Sequence, residues 1–263
     1  MRTRLFAVSC TIAILMITSG CAHTPGGVTG SVRLLVTLKF NGPVNPNYHY
    51  IFLIRNSADS SGTNGPIPAV HVPYGGNGFA TGLHGSKGAF TDFVEYSASQ
   101  PSVTQTGYTI YHVLNGVNGD PAANAFIPRG QPVLAQPPFG DNTLLQFAID
   151  LQQIQPDISQ GDLDPNNGQL PRYLQVNVIS TTTKPFSTAS DDPLKVTDAF
   201  GDQSVESSGS FNSYLTIDTS QARAYTSSDT AGLAERANDT FSTEGKYDPG
   251  IDMTAWSVQI TRN

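Results

Sequence analysis

The residues best suited to chemistry lie in loops. His71 to Gly88 reads HVPYGGNGFATGLHGSKG, with the rings of Tyr74 and Phe79 and the imidazoles of His71 and His84 interleaved among glycines. A pliant loop of this kind could present flat apolar surface and ring nitrogens to a ligand, and rings supply contact area at little rotamer cost. Tyr74, Phe79, His71 and His84 are therefore the candidate ligand-binding residues. The stretch is not a phosphate loop, because Gly75-Gly76-Asn77-Gly78 lacks the closing Lys-Ser/Thr and the strand-to-helix setting. It is not a nucleophile elbow either, since His84 stands where G-x-S-x-G requires glycine. Its plain structural reading is a long loop folded over a sheet edge. His49, His71, His84 and His112 show no metal-ligand spacing, and there is no HExxH or cysteine cluster. His49-Tyr50 and Tyr111-His112 fall inside apolar runs, where a packed, hydrogen-bonded histidine is expected.

Oxygen-rich turns are the second source of chemistry. In Gly161-Asp162-Leu163-Asp164-Pro165-Asn166-Asn167-Gly168, the oxygens of Asp162, Asp164 and Asn166 alternate and a glycine follows, which resembles the first half of a calcium-binding loop. That resemblance implies calcium as the one cofactor to consider. The segment departs from the pattern in three ways: glycine arrives one position late, Pro165 stiffens the turn, and Tyr173 stands where a bidentate glutamate should close the loop. Asp, Asn, Pro and Gly are also the ordinary residues of an exposed turn. Asp191 and Asp192, with Asp198 and Asp202, form a third group able to bind calcium or transfer protons, although solvated surface aspartates are the commoner outcome. Asn56 to Gly65 (NSADSSGTNG) reads as a loop. No catalytic residue can be assigned, because a hydrolase triad or a glycosidase carboxylate pair is defined by geometry and not by order along the chain.

The elements that must position these loops are strands. Gly 25 and Pro 18 punctuate the chain, and beyond residue 21 only Glu95, Glu206, Glu235, Glu244 and five lysines are present to favour helices. In Ser31 to Phe40, Val32, Leu34, Val36, Leu38 and Phe40 share one face while Arg33, Thr37 and Lys39 share the other, the mark of a half-buried strand. Tyr48 to Ile54 (YHYIFLI) is apolar on both faces and predicts a central strand covered on both sides. Further strands are expected at Phe90 to Tyr96, Tyr108 to Leu114, Thr143 to Leu151, Tyr173 to Thr181, Ser213 to Asp218 and Thr254 to Arg262, the last with Trp256 pointing into the core. About eight strands joined by long Gly/Pro/Asn-rich loops predict an all-β protein, an antiparallel β-sandwich of immunoglobulin-like or jelly-roll type. Asp229 to Asn238 (DTAGLAERAN) is the one helical candidate, capped by Asp229. Residues 182–212 are the most polar stretch and read as a long loop or a boundary, with a single domain over 31–263 preferred.

The N-terminus adds an address. Arg2 and Arg4 precede an apolar run from Leu5 to Ile17, and Ile17-Thr18-Ser19-Gly20-Cys21 follows. A run of about 13 residues is too short to span a bilayer and fits an export signal. The segment resembles a bacterial lipoprotein signal peptide with its lipobox, with Thr18 where that family more often has leucine. The resemblance implies residues 1–20 as the signal peptide, lipidation of the Cys21 thiol, and a lipid bilayer as partner, with two or more acyl chains anchoring firmly. Ala22 after Cys21 implies the outer membrane where the source has two membranes. Simple cleavage near Ala22 is the alternative. Residues 21–30 are small and turn-forming, a flexible tether.

Removing Arg2 and Arg4 takes the formal charge from −7 to −9, which excludes nucleic acid as a natural partner. A mature chain of 243 residues has ample length for a core without disulfides. YHYIFLI and LLQFAID (Leu144 to Asp150) bear a general likeness to carbohydrate-binding sandwiches related to family 9 modules, an analogy of fold that carries no binding residue across. The expectation is a membrane-anchored cell-envelope lipoprotein acting as a non-enzymatic binding or structural module for a glycan or envelope protein. The alternative is an envelope glycan hydrolase working through aspartates and Glu95.

Overall fold

A computed structural model describes residues 31–61, 65–69, 79–81, 90–98, 106–113, 126–138, 142–156, 166–182, 196–200, 214–242 and 245–262. These residues form an all-β sandwich of two antiparallel sheets packed face to face. The strands are β1 Val32–Phe40, β2 His49–Ser57, β3 Ile67–Ala69, β4 Phe79–Thr81, β5 Asp92–Tyr96, β6 Tyr108–Val113, β7 Phe126–Gly130, β8 Leu134–Gln136, β9 Leu144–Asp150, β10 Tyr173–Thr181, β11 Val196–Ala199, β12 Leu215–Asp218, β13 Ala224–Thr226, β14 Phe241–Ser242 and β15 Met253–Arg262. All eight strands expected from the sequence are present; β2 runs on to Ser57, past the expected end at Ile54.

The five-stranded sheet has the order β13-β15-β1-β9-β8 and the eight-stranded sheet the order β14-β11-β10-β2-β5-β6-β7. In the latter, β11 pairs with Ile179 to Thr181 and β12 with Tyr173 to Val176, so both lie along one side of β10 while β2 occupies the other along its whole length. A separate β3-β4 hairpin begins against the outer face of the eight-stranded sheet, where Asn177 Nδ2 donates to Pro66 O at 3.1 Å.

Alternation along the strands makes the core. On β1, Leu34, Val36, Leu38 and Phe40 are buried while Lys39 is exposed, and on β15 Trp256, Val258 and Ile260 are buried against them. Trp256 stacks on Phe200 with centroids 4.7 Å apart, and its Nε1 donates to Leu233 O at 3.0 Å. Aromatic rings bridge the two sheets: Phe40 meets Tyr50 edge-on at 5.0 Å and Phe52 meets Phe147 at 5.6 Å. As β2's two-sided pattern implies, Tyr50, Phe52 and Ile54 face this inner core. Ile51 and Leu53 face outward into a second cluster with Phe90, Phe93 and Ile179.

The expected helix does not form. Asp229 to Asn238 is a chain of turns in which Gly232 (φ 80°) and Asn238 (φ 69°) adopt left-handed conformations that interrupt any right-handed helix. Leu233, expected to face the sheet, is buried from a turn closed by its N–H to Thr230 O. The described residues contain one short 3-10 helix, Leu151–Ile154, capped by Asp150 and Gln153. None of their helices is long and apolar enough to cross a membrane.

Candidate functional site

Buried polar side chains gather in three places. Two arise directly from strand pairing on β5. Asp92 stands opposite His112 on β6, with Oδ1 2.8 Å from Nδ1, and Arg129 Nη1 lies 4.0 Å from the same oxygen. Glu95, on the other face of β5, meets His49 of β2 with Oε1 2.7 Å from Nδ1. Every member of the two histidine pairs is buried. Burial raises the Asp92 carboxyl above its ordinary range, and the hydrogen bond from His112 offsets this in part. The packed histidines expected at positions 49 and 112 are therefore present, each held by a carboxylate.

The third place lies at one end of the sandwich, where the turn leading into β15 is clamped between both sheets. Gly250 N–H donates to Asp248 Oδ1 at 2.8 Å, and Ile251 N–H to Asp248 O at 3.2 Å. Tyr48 Oη donates to Asp248 Oδ2 at 2.7 Å, which pushes the Tyr48 phenol up. Tyr50 Oη donates to Gly250 O at 2.8 Å and Ser180 Oγ to Ile251 O at 2.6 Å. The backbones approach so closely that a Cβ on Gly250 would stand 2.7 Å from Pro43 O, and one on Gly42 would stand 2.8 Å from Pro249 Cβ.

This clamp assembles three carboxylates. Asp198 projects from β11, opposite Ser180; Asp239 follows the left-handed Asn238; Asp252 immediately precedes β15. One ligand oxygen from each lies within 4.8 Å of the others. Asp198 and Asp252 are buried, and Asp239 is half-buried. Asp198 is held by its own neighbour's N–H, Ala199 to Oδ1 at 2.8 Å, and by Met253 N–H to Oδ2 at 2.6 Å, a bond that ties one sheet to the other. Asp252 Oδ2 accepts from Asn238 N–H at 2.9 Å, Asn41 Nδ2 at 2.9 Å and Tyr247 Oη at 2.6 Å. Its Oδ1 has no hydrogen-bond partner. Burial, followed by the bond to Asp252 and the charges of Asp252 and Asp239, raises the Tyr247 phenol.

Of the residues singled out in the sequence, Cys21, His71, Tyr74, His84, Asp162, Asp164, Asp191, Asp192 and Asp202 lie outside the described residues. Phe79 belongs to β4, opposite Ala69. Asn166 sits in a turn, where its Oδ1 accepts Arg172 N–H at 3.2 Å and its carbonyl accepts Gln169 N–H at 3.1 Å. Asp198 is not the solvated aspartate expected of a polar loop: β11 carries it inward, beside the core residues Val196 and Phe200. Asp239 and Asp252 were not distinguished in the sequence, and nothing local marks them, because strand pairing brings together segments far apart in the chain. No protein-family model matches the chain, and no curated protein or solved structure matches it.

Proposed function

We propose that this protein is a lipid-anchored component of a bacterial cell envelope, acting as a non-enzymatic binding or structural module for a glycan or envelope protein. The observation that carries the reading is Arg2 and Arg4, the apolar run to Ile17 and the lipobox-like ending at Cys21. The fold supports it from the other side. Residue 31 leads straight into β1, the middle strand of the five-stranded sheet. A tether of residues 22–30 reaches about 30 Å at full extension, so an anchored sandwich stays close to the bilayer.

Non-catalytic action is supported by how the buried acids are engaged. Glu95, the glutamate that a glycan hydrolase would enlist, is buried against His49, while Asp92 points to the opposite face of the same strand. The seam carboxylates of Asp198 and Asp252 have almost no exposed surface, 1 % and 0 %, and leave no room for a sugar ring between them. Replacing Cys21 by serine tests the anchor: C21S should lose incorporation of radioactive palmitate and move from the membrane fraction to the soluble one. Continued labelling overturns the lipid anchor. Screening the protein against immobilised glycans then addresses the ligand.

A further inference from the structure

We propose that Asp198, Asp239 and Asp252 bind a divalent cation, calcium in preference to magnesium, at the seam between the two sheets. Two independent observations converge. The three carboxylates each place an oxygen within 4.8 Å of the others. Oxygens around one calcium ion at 2.3–2.6 Å stand up to about 5 Å apart, so these three fit around one ion, and magnesium, which dehydrates reluctantly, is seldom held in a buried all-protein site. The second observation is Asp252 Oδ1, which has no hydrogen-bond partner in a side chain with no exposed surface. Buried polar atoms are nearly always partnered, and a carboxylate oxygen left alone calls for a ligand.

The surroundings suit a hard cation. All three donors are carboxylate oxygens, with no sulfur or imidazole among them. Asn238 N–H, Asn41 Nδ2 and Tyr247 Oη fix the Asp252 carboxylate through Oδ2, as outer partners fix a metal ligand, and leave Oδ1 free. Asp198 is oriented by Ala199 N–H on Oδ1 and Met253 N–H on Oδ2. Three like charges at this spacing repel one another, and a dication leaves the group with a single net negative charge. Tyr247, which is 43 % exposed and donates to Asp252, places the cluster near the protein surface. The ion would join β11 of one sheet to the start of β15 in the other, so its binding is coupled to folding.

The full-length chain, purified in detergent and stripped with chelator, tests this by thermal melting and by calorimetric titration with calcium chloride. Calcium at about 100 times its dissociation constant should raise the melting temperature by about 5 °C or more. Asp239→Asn, at the half-buried member of the set, should abolish the rise. Calorimetry on the unaltered chain decides the matter even where the variant fails to fold. No binding heat and no melting shift up to about 10 mM calcium overturns the site, because extracellular calcium modules bind in the range of about 0.1–1 mM. A magnesium shift as large as that of calcium overturns the assignment to calcium, and a full calcium shift retained in Asp239→Asn overturns the ligand set.

Discussion

The molecule buries carboxylates in two ways. On β5, Asp92 and Glu95 each face a histidine, at 2.8 Å and 2.7 Å, whereas at the sheet seam Asp198, Asp239 and Asp252 face one another. The histidine pairs are products of the ladder: Asp92 is directly opposite His112, and Glu95 lies diagonally from His49 across the β2-β5 pairing, within the reach of neighbouring side chains in a sheet. Each such carboxylate meets a histidine of the adjacent strand through one oxygen, so strand pairing supplies it with a partner of opposite character, although Asp92 Oδ2 has no hydrogen bond. The seam cluster draws on two sheets and a loop, and its like charges favour an added cation or proton. A carboxylate paired with a histidine across a ladder is architecture, whereas carboxylates gathered against one another suit a cation.

Removing a partner separates the two kinds most sharply. His112→Ala leaves the fully buried Asp92 without its principal donor and should cost about 3 kcal/mol in urea unfolding at neutral pH. Asp239→Asn, measured in chelator, removes one of three mutually repelling charges and should stay within about 1 kcal/mol of the unaltered chain. A His112→Ala loss no larger than that of Asp239→Asn would erase the distinction.

A smaller effect distinguishes charge from hydrogen bonding within the histidine pair. Burial, the leading cause, raises the Asp92 pKa in the folded chain. Above about pH 4 the unfolded chain has released this proton while the folded chain still holds it. Asp92 therefore favours folding at acid pH, and the contribution is lost as pH rises through the raised folded value. Asp92→Asn keeps an acceptor oxygen for His112 and should flatten stability against pH from about pH 4 upward. An unchanged slope in urea titrations across that range would mean that Asp92 ionises in the fold as it does in water.

Strands long enough to show a period were legible from the chain alone. β1 displays five alternating apolar residues, β2 is apolar on both faces, and β10 begins and ends at the expected Tyr173 and Thr181. The strands missed were short or chemically disguised: β11 is Val196–Ala199 with an aspartate inside, β7 contains Pro128, and β14 has two residues. Such segments complete no period, and their conformation is imposed by the strands beside them. The failed helix at Asp229 to Asn238 carried suitable residues, but Gly232 and Asn238 take left-handed turns that dock Leu233 beneath Trp256. At the candidate site the same limit applies. His49 and His112 were expected to be packed because tyrosines flank them, yet their partners on β5 follow only from register. Asp198, Asp239 and Asp252 meet through tertiary contact, which no local spacing encodes.

A half-buried carboxylate at the sheet margin supplies the weak end of the comparison. Asp218, at the end of β12, accepts from Ser220 Oγ at 2.6 Å and Ser220 N–H at 2.9 Å, with Arg172 Nη2 at 3.3 Å. The Ser220 hydroxyl, foremost among these, holds its pKa below the ordinary value. The sign is opposite to that of Asp92: the folded chain prefers the ionised form, so the contribution is present above about pH 4 and is lost as pH falls through the lowered folded value. Water and salt screen a group this accessible, and Asp218→Ala should cost less than about 1 kcal/mol at neutral pH. Its cost should fall away as pH drops through the lowered folded value, below which both forms of the chain carry the proton. A larger loss, or one indifferent to acid, would mean that Asp218 holds the β12 turn through its shape and not its charge. In that case depth in the fold would no longer order the three kinds of carboxylate.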